Sequence, residues 1–244
     1  MEHIIHSSVL THLENTNSLS DEQHGFRKRR SCDTQLVLTI HDLAKALDSG
    51  DQIDGILLDF SKAFDKVPHN RLLMKLDHYG VRNNTLSWIQ DFLSDRTQTV
   101  VLEGNSSSTN PVASGVPQGT VLGTLLFLVY INDMPGYARS QTRLFADDCL
   151  MYRKVSSTSD CTQLQEDLDN LIKWEQQWQM HFNPDKCEVL TIIKKRKPLH
   201  HDYTIHVHGH ILQHVDSTKY LDLNISKPPK TPKSTIHIIK LMIT

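Results

Sequence analysis

The sequence has no apolar run that approaches the ~20 residues a helix needs to cross a bilayer. Its start, Met1-Glu2-His3-Ile4-Ile5-His6, lacks the basic head and apolar middle of a secretory signal. The expectation is an intracellular protein, of nucleus or cytoplasm, with no membrane segment. Cysteine is scarce and scattered. Cys32, Cys149, Cys161 and Cys187 show no Cys-x-x-Cys spacing, so neither a disulfide framework nor a cysteine-built zinc site is expected. No internal repeat is visible, and the only low-complexity stretch is the short run Ser106-Ser107-Ser108. A large charge of one sign is missing too. The formal net charge is −2, whereas nucleic-acid binders are usually basic.

What is present is a globular composition. The chain has 244 residues, 38% hydrophobic and 22% charged, enough for one large domain or two smaller subdomains with a real core. Cations are concentrated locally in Arg27-Lys28-Arg29-Arg30, in Lys194-Lys195-Arg196-Lys197 and along the tail from Lys227 to Lys240. The run at 194–197 reads first as a solvated loop or a nuclear-import signal. The run at 27–30 has phosphate contact as its functional reading. His200, His201, His206, His208, His210 and His214 suggest a metal module only weakly, because no cysteine accompanies them and exposed histidines of this kind are usually incidental.

Periodicity predicts helices over 1–14 and over the stretch holding Leu36, Val37, Ile40, Leu43, Ala44 and Leu47, with Ser31 or Asp33 as the cap. A buried strand is expected over 53–60, with Asp59 near its end, where a carboxylate is costly unless it is paired or metal-bound. Pro68 opens a helix that Gly80 stops, and another helix holds Leu86 to Leu93. A strand is expected over 97–103, with a partner near Val112. The Gly- and Pro-rich loop 114–120 then feeds an apolar helix over 121–132, and small backbone plus one amide at a helix start suits close approach by a substrate. Arg143 to Tyr152 reads as a β-hairpin with Asp147-Asp148 at its tip. An amphipathic helix follows through Leu164 to Trp178, then a strand over 187–193, two strands over 203–207 and 211–215 around Gly209, and a short strand over 220–223.

Asp147-Asp148 alone is ordinary turn chemistry. With Asp59 on a separate strand the alternative is phosphoryl transfer, since a two-metal site takes carboxylates from separate elements around two cations roughly 4 Å apart.

Three motifs occur in order: Asp59-Phe60-Ser61-Lys62-Ala63-Phe64-Asp65, Gly115-Val116-Pro117-Gln118-Gly119 and Phe145-Ala146-Asp147-Asp148. They are joined by Gln23-His24-Gly25-Phe26-Arg27, Tyr130-Ile131-Asn132-Asp133 and Phe182-Asn183-Pro184-Asp185-Lys186. Together they resemble the reverse transcriptase of non-LTR (LINE-type) retrotransposons, up to about residue 225. The resemblance implies an α+β fold, a right-hand polymerase palm with partial fingers, its antiparallel palm sheet packed on helices and its thumb essentially missing. It implies partial fingers over 1–52, palm over 53–80, a fingers insertion over 81–111, palm again over 112–200, and primer-grip-like strands with a frayed tail over 201–244.

The resemblance also implies roles. Asp59, Asp147 and Asp148 would be the catalytic acids and the ligands of two Mg²⁺ ions, with Mn²⁺ as a substitute. Phe60, Phe64, Gln118, Gly119 and Lys186 would meet the incoming deoxynucleotide, Phe64 by leaving no room for a 2′-hydroxyl and Lys186 by protonating the leaving pyrophosphate. Arg27, Lys28, Arg29 and Arg30 would touch nucleic acid. The partners implied are an RNA template, a DNA primer and deoxynucleoside triphosphates. Thr124 stands where the family has proline, and Asp222 where it has glycine. A second class stays open, a non-catalytic remnant that at most binds nucleic acid.

Overall fold

Most of the expected elements form, and the departures have local causes. The computed structural model describes residues 1–193 and 204–227. The first helix, α1 (Glu2–Asn15), buries Val9 and Leu13. The second, α2 (Cys32–Asp48), starts from Ser31, not Asp33. Ser31 Oγ accepts from the Thr34 N–H, and Thr34 Oγ1 accepts from the Ser31 N–H, a reciprocal capping box. Strand β1 (Gln52–Leu58) leads through a 3-10 turn at Phe64–Lys66 to α3 (His69–His78) and α4 (Asn83–Leu93).

The strand expected over 97–103 is broken into short pieces: β2 (Thr97–Gln98), β3 (Val101–Leu102), β4 (Asn105–Ser106) and β5 (Asn110–Pro111). β2 pairs with β5 and β3 with β4. All four pieces are exposed, so no buried face holds a longer ladder together. After them come α5 (Val121–Ile131), β6 (Gln141–Phe145), β7 (Asp148–Val155), α6 (Thr158–Trp178) and β8 (Glu188–Ile192). The hairpin around Gly209 is shorter than expected, β9 (His206–Val207) with β10 (His210–Ile211), and β11 (Gln213–Val215) leaves it to pair with β8. The strand read over 220–223 is a turn. β12 (Ser217–Tyr220) ends at Tyr220, β13 (Leu223–Ser226) begins at Leu223, and Leu221 and Asp222 take left-handed φ of 49° and 64° between them. The cationic run 194–197, most of the basic tail, His200 and His201 lie outside the described residues.

The chain divides into two units. The first comprises residues 1–20, 62–132 and 178–180. Its centre is α5, buried from Leu125 through Ile131. Leu72 and Leu76 of α3, Ile89 and Leu93 of α4 and Leu13 of α1 are buried in the same unit. Asn132 ends α5 and ties it to the chain after α1: its Oδ1 accepts from the Ser20 N–H at 2.7 Å and its Nδ2 donates to the Ser18 carbonyl at 2.6 Å.

The second unit comprises residues 21–61, 133–177 and 181 onward. It is built on a five-stranded sheet in the order β11-β8-β1-β7-β6. β1 is central, antiparallel to both β7 and β8, and only β11 joins in parallel. On one face Ile53, Leu150, Tyr152, Leu190 and Ile192 pack with Leu43 and Leu47 of α2 and with Tyr220 and Ile225 of the last hairpin. Alternation sends Ile56, Leu58, Met151 and Val189 to the other face, and all four are buried as well. The four cysteines are free thiols. Among the described residues no helix is long and apolar enough to cross a membrane.

The centrality of β1 sets a stability expectation. Ile56 is fully buried, whereas Val37 on α2 is 66% exposed. Ile56→Ala should cost about 2–5 kcal/mol, and Val37→Ala should stay within about 0.5 kcal/mol of the parent. Denaturant unfolding of the two variants checks the contrast.

Candidate active site

The acids come together because of the register of the sheet. Leu58 pairs with Cys149 across β1 and β7, which brings Asp59 level with Asp148. By alternation Asp59 continues the face of Ile53 and Leu57, and Asp148 the face of Leu150 and Tyr152, so the two carboxylates share one side of the sheet. β6 and β7 are joined by two residues only, Phe145 pairing with Asp148. The hairpin tip is therefore Ala146-Asp147, with Ala146 at a left-handed φ of 53°, and Asp148 is already the first residue of β7.

The turn after Asp59 is fixed from the other side. The Asn183 N–H donates to the Asp59 carbonyl at 2.8 Å, and the Ser61 N–H donates to the His181 carbonyl at 2.7 Å. Phe60 pairs with Phe182 between them, their rings stacked at 4.7 Å, and Trp174 stands 6.2 Å from the Phe60 ring. Phe60 is only 5% exposed. The ring is a buried anchor beside Asp59, so any contact of Phe60 with a nucleotide would not be through its ring face.

The local electrostatics are unbalanced. Asp59 Oδ1 is buried and accepts no hydrogen bond. Its nearest cation is Lys186 Nζ, at 3.6 Å on a mostly exposed side chain. Asp148 is pushed up to about 6, by partial burial of its carboxyl and then by the charges of Asp147, Asp59 and Asp222. The residue as a whole lies at the surface, so its carboxyl is backed by protein and still reachable from solvent. A cleft of about 550 Å³ is lined by Asp59, Asp148, Asp185, Lys186, Glu188 and Lys219 among others. No group of three or more His, Cys, Asp or Glu side chains among the described residues could hold a metal ion by itself. A hard divalent ion of the Mg²⁺ kind is held by one or two carboxylates with the rest of its shell from water and substrate phosphates, not by a closed protein cage. Asp59, its buried Oδ1 accepting no hydrogen bond, and Asp148 on the same sheet face are a donor set of that sort.

Other expected site residues belong to the first unit. Phe64 lies in the 3-10 turn, half-buried, with one ring face on Phe127 at 4.3 Å. The loop carrying Gln118 is stitched to this turn. The Val116 N–H donates to the Phe64 carbonyl and the Gly115 N–H to the Val67 carbonyl, both at 2.8 Å, and Ser114 Oγ donates to the Asp65 carbonyl at 2.9 Å. Gly115 has a φ of 96°, and a Cβ there would stand 2.7 Å from the Asp65 carbonyl oxygen, so glycine is required. Gln118 and Gly119 are exposed, and Thr120 caps α5 through the Gly123 N–H at 3.0 Å. This unit has its own cleft of about 550 Å³, lined by Lys62, Lys66, Arg96 and Gln118 among others.

The run at 27–30 divides into two pairs. Arg30 and Arg27 both face Asp21, at 2.5 and 4.0 Å, and are largely buried. Lys28 and Arg29 are exposed, next to an exposed Phe26. The reading from residue types gave no role of its own to Gln23, whose amide contacts the hairpin tip, and did not connect Asp222 with Asp148. Asp222 was already marked in the sequence by its place where the family has glycine. A buried glutamine facing a loop 123 residues away left no local signal.

Residues 2–225 match the family model described as reverse transcriptase (RNA-dependent DNA polymerase). The chain belongs to the reverse transcriptase family. Over 236 residues it is 30% identical to the RNA-directed DNA polymerase from mobile element jockey of Drosophila melanogaster, covering 93% of this chain and 25% of that protein. It is 29% identical over 210 residues to the probable RNA-directed DNA polymerase from transposon X-element of the same species, covering 81% of this chain and 22% of that protein. The chain thus spans about a quarter of the length of these relatives, and the kinship is with non-LTR retrotransposon reverse transcriptases. In fold it is similar to telomerase from Candida albicans in complex with a fragment of telomeric RNA, with TM-score 0.62, 12% identity, 92% of this chain and 36% of that one. Candida tropicalis telomerase truncated from its C-terminal domain gives TM-score 0.60 at 13% identity, over 92% of this chain and 43% of that one. The α+β polymerase fold with a palm and partial fingers, read from the motifs, holds.

The crowding of acids has a consequence for stability. The folded-state value of Asp148, about 6, exceeds the ordinary 3.8. The native protein therefore binds this proton more tightly, and ionisation costs stability progressively from about pH 4, in full above about pH 6. Asp148→Asn should melt higher than the parent at pH 7.5, and the difference should vanish below about pH 4. Thermal unfolding at both pH values checks this.

Proposed function

We propose that this reverse transcriptase domain adds deoxynucleotides to the 3′-hydroxyl of a DNA primer paired with an RNA template. The observation that supports it most is Asp59, whose buried Oδ1 accepts no hydrogen bond and faces Lys186 Nζ at 3.6 Å, on the same sheet face as Asp148, in a chain of this family.

Asp59 and Asp147 would hold two Mg²⁺ ions, or Mn²⁺, with Asp148 as the third acid. Bound there, such ions activate the attacking hydroxyl and stabilise the leaving phosphate oxygens. The chain's own residues position and discriminate, which is most of what phosphoryl transfer asks of a protein. Lys186, largely exposed and 3.6 Å from Asp59, would give a proton to the leaving pyrophosphate. Phe64, backed by Phe127, offers a flat ring that a 2′-hydroxyl would strike. Gln118 and Gly119 form an open loop suited to base and sugar contact. Lys28 and Arg29 supply the cations of their run that are free for template phosphate, with Phe26 beside them for stacking. We assign the second unit's sheet to the palm and the segment over 81–111 to the fingers, and place the activity inside the cell, in nucleus or cytoplasm.

Purified protein with a primed RNA template, deoxynucleotides and Mg²⁺ should extend the primer. Asp59→Asn or Asp147→Asn should lower the rate by about 10³-fold or more, because each removes charge stabilisation made in the transition state. Phe64→Val should admit ribonucleotides while leaving deoxynucleotide addition largely intact. Extension that survives Asp147→Asn contradicts the assignment of roles. Salt-sensitive RNA binding without any extension would instead favour a non-catalytic remnant.

A further inference from the structure

We propose that Gln23 is a positioning residue of the catalytic hairpin, its side-chain amide clamping the backbone of the tip so that Asp147 and Asp148 keep one fixed place. This rests on the polymerase reading for its consequence, though not for its geometry.

Residues 22–24 run beside β6 as an extra parallel edge. The Leu144 N–H donates to the Glu22 carbonyl and the His24 N–H donates to the Leu144 carbonyl, both at 2.9 Å. This sets Gln23 opposite Leu144, two residues before the tip. Gln23 is 2% exposed, and its amide turns onto the tip. Oε1 accepts from the Ala146 N–H at 3.0 Å and from the Gly25 N–H at 2.7 Å. Nε2 donates to the Ala146 carbonyl at 3.4 Å. One side chain thus holds both polar groups of the residue that precedes Asp147.

That residue needs holding. Ala146 sits at a φ of 53°, a region in which alanine is disfavoured and which two-residue hairpin tips normally fill with glycine, asparagine or aspartate. Nothing in its own side chain favours the conformation. Gly25 makes the approach possible, because a Cβ there would lie 2.3 Å from the Ala146 nitrogen. The pair Gln23 and Gly25 reads as one device: glycine brings the segment close, and glutamine fastens the tip. The amide bonds both to its own loop, at the Gly25 N–H, and to the strained turn that carries the acids.

The test uses the full chain with Gln23→Met, close in shape but without the amide, and Gln23→Asn, too short to reach, should the first not fold. Amide hydrogen exchange at residues 146–148 is read alongside primer extension. Either folded variant should exchange at the tip about tenfold faster or more, since the Ala146 N–H loses its acceptor. Its kcat should fall about 10- to 100-fold with KM for deoxynucleotide little changed. Adding Ala146→Gly to Gln23→Met should return part of the lost kcat, because glycine takes the left-handed φ freely. Unchanged tip exchange in a folded variant overturns the clamp. So does a kcat loss that Ala146→Gly leaves untouched. Fast tip exchange in the variant, with a parent that extends no primer, upholds the clamp and overturns the polymerase reading instead.

Discussion

Negative charge gathered at one end of β1 is the constraint around which the second unit is built. Asp59, Asp147 and Asp148 would separate in water, and the sheet prevents it. β1 contributes the first acid because it is central and paired on both sides. β7 contributes the last because the two-residue turn starts it at Asp148. Burial raises the Asp148 carboxyl, and the charges of Asp147, Asp59 and Asp222 raise it further. Stability given up at a site of this kind is the usual mark of a functional arrangement.

Several elements act as braces against that repulsion. Phe60, buried on Phe182 and Trp174, anchors the turn after Asp59. The pairing of 59–61 with 181–183 carries Lys186 to the acid cluster as its nearest cation. The edge formed by residues 22–24 reaches the tip from the far side of β6. The last hairpin adds charge instead of relieving it. Asp222, in a turn with two left-handed residues, pairs with Lys219 at 2.7 Å and still raises Asp148.

How much of this could be read from the sequence follows from the range of each interaction. Helices with a regular apolar spacing, such as α2 and α6, were legible, because burial of one face is a local pattern. The three acids were legible as a set through the order of their motifs. The burial of the Phe60 ring was not legible, because an aromatic beside a strand-end acid looks the same in sequence whether it faces a ligand or the core. Arg27 and Arg30 were read as free cations because their acceptor, Asp21, lies on the far side of an irregular loop. The strands at 97–103 and 220–223 failed for a related reason. Their apolar or β-branched composition promises a ladder, but the first has no buried face and the second holds a turn.

The central claim is that the acids at the end of β1 are held close enough to disturb one another and to attract divalent cations. A carbon-13 NMR titration of the Asp148 carboxyl in the intact chain tests it directly. The account predicts a midpoint at about 6 that moves down when Mg²⁺ is added, because a bound cation favours the ionised form. A midpoint in the ordinary aspartate range, unmoved by Mg²⁺, would contradict it.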